Sequence, residues 1–203
     1  MNLPNKLTVM RMLLTPVFMV ALMVPFTGNY LVALVIFAVA SITDLLDGKI
    51  ARKQNLVTDF GKFLDPLADK MLTTAAFIGF LAKGIGFGME WILFIVLLRE
   101  FMVSSIRLVA VSSGSKVIAA NIWGKLKTVS QMFAIIFALI VAQAVQILSL
   151  DFIVAKIPFA VLKIINLVTQ ISVSVPLWIS AVLCVISGVI YLIDNKDFIK
   201  QAK

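Results

Sequence analysis

Residues 30–51 read YLVALVIFAVASITDLLDGKIA. The stretch carries no charge from Tyr30 to Thr43, and then places Asp44, Asp47 and Lys49 within six residues. About 20 apolar residues in helical form are needed to cross a hydrocarbon core of roughly 30 Å. This segment meets that length and ends in carboxylates at its rim. The same grammar recurs along the chain. Six apolar segments of similar length lie near 8–26, 30–51, 64–83, 90–111, 126–148 and 176–194. They predict an all-α, polytopic membrane protein with six transmembrane helices, and a single domain over residues 1–203. The apolar stretch 152–172 is interrupted by Lys156, Pro158, Lys163, Asn166 and Gln170. It is expected to form a separate amphipathic helix at the membrane surface rather than a seventh span.

Composition agrees. Of 203 residues, 62% are hydrophobic and 14% charged, and the mean hydropathy is +1.09. Soluble domains hold about 45–50% apolar and roughly 25% charged residues. The formal charge of +8 fits a face near anionic lipid better than a nucleic-acid surface. Lys and Arg place that face. Six spans put both termini on one side, together with Lys49, Arg52, Lys53, Lys62, Lys116, Lys125 and Lys127, while the opposite side keeps Lys83, Lys156 and Lys163. The asymmetry predicts a cytoplasmic side for the termini and for the 52–63 and 112–125 loops. Lys6 and Arg11 precede the first apolar run as in a signal peptide, but no small-x-small cleavage site follows, so a retained first helix is expected.

Two absences narrow the chemistry. The chain has no histidine and one cysteine, Cys184. Imidazole bases, zinc clusters and intramolecular disulfides are excluded. A bound metal must be held by oxygen, which selects hard divalent cations.

The oxygen donors are concentrated. Five of the ten acidic residues lie between positions 44 and 69. An ionisable group in a span costs at least ~2.5–3.5 kcal/mol, so four aspartates at span edges ask for a reason. On a helix, Asp44 and Asp47 share a face with Gly48 and Ala51, and Arg52 follows along that edge. Gly61, Asp65 and Asp69 are spaced by four and share a second face, with Pro66 opening or kinking that helix. A short loop makes the two helices antiparallel neighbours at one rim. Four carboxylates there suit one or two divalent metals, the usual clamp for in-line phosphoryl displacement. A small-residue patch beside an arginine suits a phosphate-bearing ligand. An ion pathway is the non-enzymatic alternative, but these acids cluster at one depth instead of stepping across the bilayer.

Written out, residues 44–69 are D-x2-D-G-x2-A-R-x8-G-x3-D-x3-D. Position for position, this resembles the signature of the CDP-alcohol phosphatidyltransferase family. Chain length and six helices resemble the family as well. Softer similarities point to the bacterial branch whose acceptor is glycerol 3-phosphate: the start NLPNKLT with Arg11, then Arg99-Glu100 with Ser104, Ser105 and Arg107, and residues 124–128, GKLKT. The resemblance implies Asp44, Asp47, Asp65 and Asp69 as metal ligands for Mg2+ or Mn2+, two ions in all. It implies Asp69 as the general base. Asp44, Asp47, Gly48, Ala51, Arg52, Thr58 and Gly61 are implied around the CDP moiety. It further implies a homodimer in the bacterial plasma membrane, among membrane lipids, with the site open to the cytoplasm and with no nucleic-acid partner.

The implied reaction moves the phosphatidyl group of CDP-diacylglycerol to the 1-hydroxyl of sn-glycerol 3-phosphate and releases CMP. A phosphorylated acceptor needs cations, and Arg107, Lys116, Lys125 and Lys127 bracket the second cytoplasmic loop. Arg99 and Glu100 sit deeper in the fourth span and are expected to form an ion pair or a helix–helix contact. The alternatives are the same transfer to another acceptor, inositol phosphate or a second phospholipid, and a divalent-cation or proton transporter.

Overall fold

A computed structural model describes residues 3–54, 59–112, 122–149 and 158–196, with side chains described except at 3–6, 44–54, 59–67, 69 and 111–112. The described residues form six helices and no strand: α1 Leu3–Met23, α2 Asn29–Gln54, α3 Asp59–Lys83, α4 Met89–Ser112, α5 Ile122–Leu148 and α6 Phe159–Asp194. The all-α expectation holds.

The helices close into a ring. α1 packs on α2 and α3, α2 on α5, α5 on α6, α6 on α4, and α4 back on α3. Inside the ring lies one apolar core: Phe18 and Leu22 of α1, Phe37 of α2, Phe77 and Phe80 of α3, Ile92 of α4, Ile135 and Leu139 of α5, and Leu177 of α6. Small residues let the backbones approach. A Cβ on Gly79 would collide with the Leu22 side chain, so α1 and α3 meet at that glycine.

The outer surface is apolar too. Leu13, Val17 and Val20 of α1, Leu98 and Phe101 of α4, and Ile164 and Leu167 of α6 are exposed. A contiguous exposed apolar surface of this extent suits a lipid environment. α5 and α6 are each long and apolar enough to cross a membrane, and the shorter stretches Leu7–Met23 and Asn29–Thr43 are also apolar.

Turn chemistry fixes the ends. Lys83 Nζ, at the end of α3, donates to the Met23 carbonyl at the end of α1 (3.1 Å). Gln146, near the end of α5, accepts from Gly28 N (2.9 Å) and donates to Phe26 O (3.0 Å) in the α1–α2 turn. Gln170 of α6 accepts from Gly86 N (2.7 Å) and donates to Gly84 O (3.0 Å) in the α3–α4 turn. The C-termini of α1, α3 and α5 therefore share one end of the bundle. The starts of α1, α3 and α5, and the ends of α2, α4 and α6, share the other.

One expectation is corrected. Within the stretch 152–172, residues 159–172 are not a separate surface helix: they are continuous with the last apolar segment, through Pro176, while 152–157 lie outside the described residues. Gln170, one of the polar residues of this stretch, turns inward, as does Ser174 just beyond it. Gln170 holds the Gly84 and Gly86 backbone, and Ser174 Oγ accepts from Phe87 N (2.7 Å). At about 1.5 Å per residue, 36 residues exceed the span that hydrocarbon requires. Of the two roles open to Pro66, opening α3 is removed, because the helix begins at Asp59, about two turns earlier.

Candidate functional site

At the end of the bundle opposite these turns, a cavity of about 340 Å³ opens between five helices. Its wall takes Arg11 from α1, Ala40 and Ser41 from α2, Lys70 and Thr73 from α3, Arg99, Glu100 and Arg107 from α4, and Gly124, Lys127, Thr128 and Gln131 from α5. Such a concentration of polar groups inside an apolar bundle is a functional hypothesis by default.

Helical periodicity aims these side chains. On α1, Thr8, Arg11 and Thr15 are all buried and recur at i, i+3 and i+7, one face of a helix. Thr15 Oγ1 donates to the Arg11 carbonyl (3.1 Å). On α5, Lys127 and Gln131 are four apart and buried, with Thr128 beside them. Gln131 Nε2 is buried without a hydrogen-bond partner among the described residues. Buried polar groups are nearly always satisfied, so this amide beside a cavity marks room for a ligand oxygen.

Glu100 is the electrostatic hub. Its carboxylate pairs with Lys127 of α5, with Arg99 Nη1 (3.2 Å) and with Lys70 Nζ of α3 (3.5 Å). Lys70 also donates to Ser104 Oγ, one turn further along α4. Arg99 Nη2 donates to Ser187 Oγ of α6 (2.8 Å). The expectation of an ion pair or helix–helix contact for Arg99 and Glu100 holds on both counts. Truncating one member of such a buried cluster would strand the others, typically at 3–5 kcal/mol.

The acidic positions lie on the two helices that lead away from this cavity. α2 runs through Asp44, Asp47, Gly48, Ala51 and Arg52, and α3 runs through Gly61, Asp65 and Asp69. Both segments are helical, so the spacings that suggested shared faces are realised in the backbone. Wall residue Ser41 precedes Asp44 by three, about 4.5 Å of helix rise, and wall residue Lys70 follows Asp69 directly. The all-oxygen donor set fits a hard divalent cation. Thr58 and Lys116 lie outside the described residues. Of the four expected acceptor cations, Arg107 and Lys127 line the cavity, while Lys125 is exposed on α5 and is not part of its wall.

The first 162 residues match the family described as CDP-alcohol phosphatidyltransferase. The chain belongs to that family. Among curated relatives, this CDP-alcohol phosphatidyltransferase is 36% identical to the CDP-diacylglycerol–glycerol-3-phosphate 3-phosphatidyltransferase of Bacillus subtilis, over 99% of this chain and 98% of that one. It is 36% identical to the Rickettsia bellii protein of the same name, over 97% of each chain. The Haemophilus influenzae protein of that name is 38% identical over 66% of this chain and 73% of its own. CDP-alcohol phosphatidyltransferases are generally divalent-metal dependent. Membership of this membrane-enzyme family, two span-length helices and the apolar exterior make the chain a membrane protein.

Sequence reading missed Arg11, Lys70 and Gln131 as wall residues. The signal for Arg11 was present, since Thr8 and Thr15 share its helical face in an apolar run. Lys70 and Gln131 left no comparable local trace.

Proposed function

We propose that this chain transfers the phosphatidyl group of CDP-diacylglycerol to sn-glycerol 3-phosphate, giving phosphatidylglycerophosphate and CMP in phospholipid synthesis. One observation carries the reading: the aspartate-bearing ends of α2 and α3 adjoin a cavity walled by arginine and lysine. The first can hold a diphosphate donor, and the second a phosphorylated acceptor. Near-complete alignment with relatives named for this reaction supports it.

In this reading Asp44, Asp47, Asp65 and Asp69 hold divalent metal, two Mg2+ or Mn2+ ions, which would neutralise the diphosphate and the departing CMP. Gly48, Ala51, Thr58 and Gly61 leave space for the nucleotide, and Arg52 pairs with phosphate. Asp69 accepts the proton of the acceptor 1-hydroxyl. The new P–O bond forms as the bond to CMP breaks, and CMP leaves with the electron pair. With no histidine in the chain, a serine nucleophile has no imidazole to activate it, which favours direct displacement. Arg107 and Lys127, with Lys116 and Lys125 on the same side, attract the acceptor phosphate.

The same reading places six helices across a bacterial plasma membrane in one domain, as a homodimer, with both termini and the cavity facing the cytoplasm. The donor's acyl chains then stay in lipid while a water-soluble anion enters from the cytosol. CMP release by purified protein tests the reaction, using CDP-diacylglycerol, Mg2+ or Mn2+, and a panel of glycerol 3-phosphate, inositol 1-phosphate, serine and phosphatidylglycerol. Release is expected with glycerol 3-phosphate alone and lost with EDTA. Release with another acceptor would overturn the acceptor assignment.

A further inference from the structure

The cavity wall holds five cationic side chains, from Arg11, Lys70, Arg99, Arg107 and Lys127, and, among the described residues, one carboxylate, Glu100. That carboxylate contacts three of the five. It is itself almost enclosed, with 11% of its side chain exposed, and its partner Lys127 has 8% exposed. We infer that Glu100 is an internal place-holder anion: it compensates Lys127 and Lys70 and so holds the cavity's affinity for a phosphate-bearing ligand below what its cations alone would give.

The physics is that of a competing counter-ion. A lysine in contact with a carboxylate presents a dipole to an incoming anion, and a dipole's field falls off faster than that of a free charge. At low effective dielectric this difference is large. Without an internal anion, Lys127, Lys70 and Arg99 would face one another in a site largely shielded from water, and like charges at such range repel. Glu100 therefore lets the ligand-free cavity exist with its cations in place. Its position suits the task. It lies about two turns up α4 from Arg107, so the compensated charges are deep and Arg107 stands apart from the carboxylate. Gln131, with its unpartnered amide, lies one turn from Lys127. This inference rests on the proposed acceptor reading for its kinetic consequence. In that reaction both acceptor and product carry a phosphate ester, so a moderated affinity speeds product release.

The test is the affinity of the purified full chain for inorganic phosphate in neutral detergent, read by calorimetry without CDP-lipid. Glu100→Gln keeps the shape and one acceptor oxygen but removes the charge. It should tighten phosphate binding about tenfold, the order expected for one unit charge at this range. Glu100→Asp should stay within about twofold of the parent. With glycerol 3-phosphate as acceptor, Glu100→Gln should lower KM and kcat together, a split that a merely structural role would not produce. Phosphate binding that is unchanged or weaker in Glu100→Gln overturns the inference, as does binding too weak to measure in every form. Glu100→Ser, which admits water beside Lys127, carries the same expectation. If neither variant folds, Glu100 is a folding residue and the inference falls. A parent protein that releases no CMP with glycerol 3-phosphate would sink the proposed reaction, while the phosphate measurement still decides the role of Glu100.

Discussion

Asp69 sits between Ala68, which is fully buried, and Lys70, whose ammonium is tied to α4 through Ser104 and Glu100. Its backbone position is thus set by tertiary contacts on both sides. As the proposed general base, it should be sensitive to loss of charge alone. Asp69→Asn should lower CMP release by roughly 10²–10⁴-fold, the usual range for a positioned base. The substitution also removes one proposed metal ligand, so added Mg2+ or Mn2+ should restore little. Single-turnover CMP release at saturating metal measures this, and near-parental turnover would remove Asp69 from the mechanism. At this scale the sequence was legible where residues repeat with helical spacing. Asp44, Asp47, Asp65 and Asp69 were readable for that reason, and so in retrospect was the Thr8–Arg11–Thr15 face. Glu100 announced a buried partner because a lone acid in an apolar run needs one. Which lysine it would find was not legible. Lys127 lies 27 residues away and Lys70 lies 30, and no local pattern encodes either pairing.

At the scale of elements, α6 shows how tertiary partners redefine a polar pattern. Lys163, Asn166 and Gln170 marked their stretch as a surface helix. In the structure Gln170 and Ser174 instead bind the backbone of the α3–α4 turn, 84 and 87 residues away in sequence. That turn needs the help. Gly86 and Gly88 hold φ of +86° and +69°, a region that side chains disfavour. A Cβ on Gly88 would press on Trp178 at 3.0 Å, while Trp178 Nε1 donates to the Phe87 carbonyl (3.0 Å). Gln170→Leu should therefore cost about 1–2 kcal/mol, from two lost hydrogen bonds and one stranded backbone amide. The turn lies at the far end of the bundle from the cationic cavity, so CMP release per folded molecule should stay near parental. Thermal unfolding in detergent together with the CMP assay checks both halves. A loss of turnover without a loss of stability would mean that the two ends are coupled.

For the molecule as a whole, the closed ring of six helices explains why two ends of one bundle can differ so sharply. Every helix buries an apolar stripe against its neighbours and leaves another outside. Each passage along the bundle reverses direction, so all odd-numbered starts gather at the cavity end. This alternation is what makes the Lys/Arg asymmetry a testable topology rather than a compositional bias. Cys184 is the chain's one cysteine and is fully buried. With Cys184→Ala as background, at about 1 kcal/mol for a small buried side chain, introduced cysteines report sidedness. Lys196, just past α6, and Phe87, in the α3–α4 turn, are exposed or half-exposed positions at opposite ends. In intact cells a membrane-impermeant thiol reagent should label Phe87→Cys and spare Lys196→Cys until the membrane is opened. Phe87 must be the outward end if the cavity is to receive a cytosolic anion. The reverse pattern would place the cavity outside, where neither a cytosolic phosphorylated acceptor nor CDP-lipid held in the inner leaflet could reach it. The acceptor assignment would then fail together with the orientation, even with every contact in the bundle intact.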